Sequence, residues 1–189
     1  MKTHVDIRQI TIADEQIFPD ALELLNRTQG RDLFATDYMI KKTTSSDVLM
    51  LGAFQEDELV AVAVAEFINN FDWYLPFDST INKHNGELAG SFSTLCVKES
   101  LQGQGIGQAL SHRRMEFLKS RNIRFIVGCS WVSGMGHTSD RVFEKMGFRA
   151  VKKVDNFFVE SSIKKPFDCP GCRIQPCQCS AILYRLDLS

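Results

Sequence analysis

Gln102-Gly103-Gln104-Gly105-Ile106-Gly107 sets three alternate glycines between a strand-like run at 88–97 and the start of a helical pattern. Ile106, Ala109, Leu110, Phe117 and Leu118 recur at helical spacing, so one face of that helix, which ends near Arg121, is buried. A strand, a tight turn and a helix start aim several free backbone N–H groups and the positive end of the helix at one point, where phosphate binds. Glycine allows this because the backbone can turn sharply and approach a ligand closely without a Cβ. A tight loop with no ligand uses the same residues, so spacing must separate the options. A Walker loop ends in Gly-Lys-Ser/Thr and a Rossmann turn has its third glycine three residues after the second; neither is present.

The rest of the chain supplies the elements such a turn needs. Residues 5–10 read as a short strand, Asp14 as the cap of an amphipathic helix carrying Ile17, Ala21, Leu24 and Leu25, and 33–42 as a second helix. Runs 48–54 and 59–68 around Gln55-Glu56-Asp57-Glu58 predict a hairpin, and the aromatic segment 69–86 an ordered loop whose Phe71 to Phe77 part either walls a binding pocket or packs over an exposed edge. Strands at 125–129, 148–159 and 181–188, with a short helix at 139–146 stopped by Gly147, complete an α/β order in which 181–188 closes the sheet. The length of 189 residues, 44% hydrophobic, suits a single domain over 1–189. With 22 Lys and Arg against 23 Asp and Glu, the chain has no basic footprint for nucleic acid or an anionic membrane. No apolar run reaches bilayer length and the first residues do not read as a signal peptide, so a soluble, cytoplasmic protein is expected.

Gln102-x-x-Gly105-x-Gly107 after the strand Leu95-Cys96-Val97 resembles the Gln/Arg-x-x-Gly-x-Gly/Ala signature of the GNAT N-acetyltransferase superfamily. Some forty residues later, Phe143-Glu144-Lys145-Met146-Gly147-Phe148 is similar to that family's Tyr-Glu-Lys-Leu-Gly-Phe segment. The resemblance spans essentially the whole chain. It implies the GNAT fold, an α/β (α+β) domain whose mixed, mostly antiparallel sheet of about seven strands carries helices on both faces. It also implies acetyl-CoA as cosubstrate, direct transfer to a small-molecule or protein amine, and leaves room for a homodimer.

Carried over residue by residue, the resemblance puts the pantetheine arm against the backbone of Leu95, Cys96 and Val97, with an N–H near Val97 stabilising the oxyanion. The pyrophosphate falls to the N–H groups of Gly103, Gln104, Gly105, Ile106, Gly107, Gln108 and Ala109, with Gln102 bracing the turn. Glu87 and Glu66 are candidates to take the ammonium proton, directly or through water, and equally read as solvated strand-end carboxylates; His84 and His137 are further candidates. Phe143 stands where the family often has a Tyr that protonates the departing sulfur. A phenyl ring donates no proton, so Ser139 or Thr138 is the substitute donor, with helix N-capping the competing role. Gly134-Met135-Gly136-His137 occupies the region where the family often has a cofactor-contacting Asn. The lost phenol admits another reading, a catalytically weak acyl-CoA-binding regulatory module.

Cys169, Cys172, Cys177 and Cys179 place four thiols in a Pro/Gly-containing loop, 166–180, between the last two strands. Soft thiolates at such spacing suit tetrahedral zinc, and a metal replaces the core the loop lacks. Free thiols, a redox pair at Cys169 and Cys172, and a disulfide remain alternatives. Zinc here would shape the acceptor pocket rather than perform chemistry; binding of a partner through the loop is a third possible function. Cys96 and Cys129, in apolar runs, read as buried thiols.

Overall fold

The computed structural model describes residues 5–134, 136–137 and 139–188, the side chains of 136 and 137 excepted. In chain order the elements are β1 (Asp6–Gln9), α1 (Phe18–Gln29), α2 (Thr36–Thr44), β2 (Val48–Gln55), β3 (Glu58–Ile68), β4 (Ala89–Val97), α3 (Ile106–Lys119), β5 (Phe125–Ser133), β6 (Gly136–His137), α4 (Asp140–Lys145), β7 (Arg149–Val154), α5 (Val159–Lys164) and β8 (Ser180–Asp187). The sheet runs β1-β2-β3-β4-β5-β8-β7, with the two-residue β6 paired to β5. Of these pairings only β4 with β5 is parallel.

Hydrophobic patterning explains the layers. β3 is buried along nearly its whole length, as a strand covered on both faces should be. On one face Phe18, Ala21, Leu24 and Leu25 of α1 and Met39 of α2 pack on Met50, Val62, Val64 and Cys96. On the other, Ile106 and Leu110 of α3 meet Leu51, Ala61 and Ala63. Met115 and Leu118 extend this layer to Phe92, Ile126 and Phe143 of α4.

The observed elements differ from the sequence reading in places, β5 for one running to Ser133 rather than Cys129. Asp14 does not cap α1: it lies inside a 3-10 turn, Ile12–Ile17, whose cap is Thr11 and where Asp14 accepts from the Thr11 N–H at 2.8 Å and the Thr11 hydroxyl at 2.9 Å, while the N-cap of α1 is Ile17. Segment 69–86 is the expected ordered loop, with two further 3-10 turns at Asp72–Tyr74 and Ile81–His84, and its Phe71, Tyr74, Phe77 and Ile81 form a third cluster with Phe125, Val127 and Leu183. The expected strand 148–159 stops at Val154; the chain turns through Asn156 at φ +54° and enters α5, while Phe157 and Phe158 pack against the third cluster. The last strand is interior. β8 pairs with β5 on one side and β7 on the other, so the exposed Arg149–Val154 forms the edge, consistent with its two lysines.

Candidate active site

β4 and β5 pair only over Gly90–Phe92 and Ile126–Gly128, and beyond Phe92 the strands part. The β3–β4 register shifts at the same place: Ala65 faces Phe92 but Val64 faces Thr94, which leaves Ser93 as an exposed bulge residue. A cavity of about 460 Å³ occupies the gap. Its wall draws on both faces of the sheet, with Thr28 and Gln29 from α1 on one side and Arg114, Val142 and Phe143 on the other, so it passes through the sheet.

Backbone direction along the parted strand follows from two hydrogen bonds. The Lys98 N–H donates to the β3 residue Val60 at 2.9 Å, and Gln102 Nε2 reaches the Val97 carbonyl at 3.1 Å. Peptide groups alternate sides along a strand, so Leu95 and Val97 turn their N–H and C=O groups toward the gap while Cys96 turns its own toward β3. Of the three residues expected against a pantetheine arm, Leu95 therefore offers its N–H and C=O and Val97 its N–H, the Val97 carbonyl being taken by Gln102.

Gln102 thus ties the end of β4 to the glycine turn. Gly103 and Gly105 sit at φ +77° and +90°, a region other residues enter only with strain, and a Cβ on either would meet nothing within 4 Å. The empty space outside the turn is what a phosphate would fill. The first intrahelical bond of α3 is Ala109 N–H to Gly105 C=O at 3.0 Å, and Gly105 supplies no side-chain cap. The amides of Ile106, Gly107 and Gln108 have no partner within the helix and point past the turn. A Cβ on Gly107 would make ordinary contacts with Leu95 and Val142. The turn therefore fits a pyrophosphate. Gln104 Nε2 reaches back to the Ser100 carbonyl at 3.3 Å.

Of the proposed catalytic residues, Ser139 lines the cavity and Glu66 and Glu87 do not. Ser139 precedes α4 but makes no side-chain cap bond; its hydroxyl donates to Ser130 at 3.1 Å, so the capping role expected from sequence is absent. Glu66 forms an ion pair with Lys42. Glu87 lies before the first residue of β4, six residues from the bulge, or roughly 20 Å along an extended strand, and contacts His84 at 3.3 Å and Arg124 at 3.5 Å. The His137 side chain and Thr138 lie outside the described residues. Phe143 also lines the cavity, its ring stacked on Tyr184 at 4.8 Å and lying against Gly128, where a Cβ would come within 2.6 Å of it. Burial pushes the Cys96 thiol up to about 11 and raises Cys129 as well, so neither wall thiol is a nucleophile at neutral pH.

Two features escaped the sequence reading. Arg114 on α3 is 2% exposed and lines the cavity. Its pKa falls to about 9 because burial disfavours the cation, and no carboxylate among the described residues offsets that burial. The second is most of the aromatic wall: Leu33, Trp131, Phe158 and Phe167 line the cavity beside Trp73, which belongs to the segment expected as a pocket wall. The charge of Arg114 at an apolar stripe position was a legible signal. Those four wall residues were not, because they come from four separate segments.

The four loop sulfurs lie within 4.8 Å of one another, with Cys169 to Cys179 and Cys172 to Cys177 both at 3.7 Å. A tetrahedral zinc with bonds of about 2.3 Å separates its sulfurs by about 3.8 Å, so the donor set fits this ion. The fit is independent of the spacing argument. Cys169 and Cys177 also face the cavity. The loop is anchored on three sides: by paired backbone bonds between Arg31 and Asp168, by the Cys177 N–H donating to the buried Ser162 at 2.8 Å, and by Gly171 packed against Trp131.

An open sheet parted at its parallel pair, with a glycine turn at the head of the gap, is the architecture of GNAT-type acetyltransferases. Solved structures bear out this likeness of fold. The ribosomal-protein-S18-alanine N-acetyltransferase of Escherichia coli superposes with a TM-score of 0.63 at 14% identity, over 98% of this chain and 95% of that one. Arabidopsis thaliana NAA60, solved with a bisubstrate analogue, gives 0.67 at 16% identity over 97% and 98%. The sequence model of the Acetyltransferase (GNAT) family matches residues 15–148, and the chain belongs to that family. A mycothiol acetyltransferase of Amycolatopsis mediterranei (strain U-32) is 28% identical over 95 residues, which are 50% of this chain and 31% of that protein. No helix among the described residues is long and apolar enough to cross a membrane.

Proposed function

We propose that the chain is an acetyl-CoA-dependent N-acetyltransferase that passes the acetyl group directly to an amine. The observation that carries this is the gap itself, where the Leu95 N–H and C=O and the Val97 N–H line the edge between the glycine turn and the Ser93 bulge. The amides of Gly103 to Gln108 hold the pyrophosphate, that of Ala109 being bonded to the Gly105 carbonyl instead, and the thioester carbonyl accepts from the Leu95 N–H. A neutral amine, approaching from the aromatic mouth, attacks the carbonyl carbon through its lone pair; the C–S bond breaks and the sulfur leaves with the bonding electrons. The amine proton goes to water, since the described wall of the cavity contains no carboxylate. Glu66 and Glu87, absent from that wall, act only through such water. Ser139 gives the leaving sulfur a hydroxyl donor, and a thiol with pKa near about 8.5 also departs as thiolate without one.

Proteins named for mycothiol and for the alanine of a ribosomal protein stand among the similar ones, so both small-molecule and protein amines are represented. The four cysteines would hold one structural zinc, which closes the loop beside the acceptor mouth. Phe143 in place of a phenol favours one competing reading, a weakly catalytic acyl-CoA-binding module. The test is thiol release from acetyl-CoA across an amine panel, beside calorimetric CoA binding. Turnover with at least one amine is expected. Tight CoA binding with no turnover would select the module instead, and no CoA binding would overturn both.

A further inference from the structure

Arg114 lies on the apolar stripe Ile106, Leu110, Leu118 of α3, where a neutral residue would be expected. Its Nη1 donates to the Thr94 carbonyl at 3.1 Å and, longer, to the Val64 carbonyl at 3.5 Å. Val64 and Thr94 are the opposed pair beside the bulge, so the guanidinium bridges the two strands where their register slips. Nη2 donates to Ser111 Oγ at 2.7 Å, and that hydroxyl donates to the Gly107 carbonyl at 2.7 Å. The Phe92 ring lies 4.0 Å from the guanidinium carbon, and Nε has no hydrogen-bond partner among the described residues. One chain of contacts thus links the glycine turn to the bulge.

Scaffolding alone does not account for a cation at this place. A buried charge without a counter-ion destabilises a fold, and an apolar residue of similar volume is often neutral or better there. What the cation adds is a charge-assisted bond to one particular carbonyl. The Thr94–Leu95 peptide is trans, so its carbonyl and its N–H point in opposite directions. The Thr94 carbonyl faces Arg114 and β3; the Leu95 N–H faces the gap.

We infer that Arg114 is a positioning residue for the acyl group, holding and polarising the Thr94–Leu95 peptide so that the Leu95 N–H is a fixed, strengthened donor to the thioester carbonyl. This rests on the acetyl-transfer reading above. Hydrogen bonds at the two ends of one amide reinforce each other, and a preorganised donor in a water-poor site stabilises the negative charge that develops on the carbonyl oxygen.

Isotope-edited infrared spectra of acetyl-CoA labelled with 13C at its carbonyl, bound without any amine, test the inference apart from turnover. In the wild type the carbonyl stretch should lie below that of the free thioester. In Arg114→Met it should return toward the free value while calorimetric affinity for CoA changes by less than about twofold. With an active amine, kcat should fall about 100-fold with KM for acetyl-CoA little changed. Arg114→Lys, which keeps a charged donor, should recover about a tenfold share. If Arg114→Met does not fold, Ser111→Ala, which loosens the guanidinium without removing it, should shift the stretch in the same direction by less. An unshifted stretch in the folded variants, or equal activity in the Lys and Met variants, overturns the role of Arg114. Failure of the wild type to bind acetyl-CoA would instead overturn the acetyl-transfer reading on which it rests.

Discussion

Gly105 shows how one residue couples conformation to binding. Its φ of +90° is strained for any side chain, yet a Cβ there meets nothing within 4 Å. Gly105→Asp should therefore fold, at a cost of about 1–2 kcal/mol for the left-handed backbone, and put a carboxylate into the phosphate space. Calorimetry should show CoA affinity falling at least ~100-fold, with like-charge repulsion adding to the strain. Ser139 is a second such case. Because it makes no cap bond, Ser139→Ala should leave the stability of α4 unchanged, so a drop in kcat of about tenfold with unchanged KM would be a chemical effect. Phe143→Tyr should raise kcat or broaden its pH profile if a donor to sulfur limits the rate. No change in either variant would mean that thiolate departure needs no protein acid.

At the scale of elements, the cysteine loop and the β5–α4–β8 contact carry the sharpest expectations. Burial opposes ionisation of Cys177 and Cys179, but at Cys172 backbone and thiol hydrogen bonds outweigh it and lower the pKa. Metal analysis should give about one zinc per chain. Protons compete for the thiolates, so zinc should be released as pH falls, and chelation or Cys172→Ser should lower Tm. CoA affinity should persist, since the glycine turn lies at the other end of the gap, while KM for the amine should rise because Cys169 and Cys177 face the cavity. Metal-free reduced protein with the same Tm and freely reactive thiols would refute the site. Gly128 is the other element-scale contact: a Cβ there would lie 2.6 Å from the Phe143 ring, which stacks on Tyr184 of β8. Gly128→Ala should cost roughly 1–3 kcal/mol in urea unfolding, as overpacking does.

At the scale of the whole molecule, the site exists because the sheet is opened at one place and held open from both faces. Thr94 is bound on one face by Arg114 and on the other by the Tyr38 hydroxyl at 3.1 Å. α3 bears on β3 through Leu110, which is fully buried. Leu110→Ala should lower unfolding free energy by about 2–5 kcal/mol. CoA, by binding the native state only, should offset part of that loss, visible as a ligand-induced rise in the Tm of the variant.

Local chemistry determined much of this protein. The glycine turn, the hairpin at 48–68, the amphipathic faces of α1 and α3 and the four clustered thiols were legible because each depends on residues near one another in sequence, where φ preference, periodicity and ligand spacing act directly. Tertiary structure alone decided what depends on partners distant in the chain. It set β8 between β5 and β7 and ended β7 at Val154, because long-range pairing and the burial of Phe157 and Phe158 outweigh the β-propensity of 148–159. It brought Ser139 to Ser130 and tied Glu87 to Arg124 away from the bulge. Above all, it turned the Leu95 N–H toward the gap and Arg114 toward the Thr94 carbonyl, since the direction of a peptide group is fixed only when neighbouring strands claim the alternate ones.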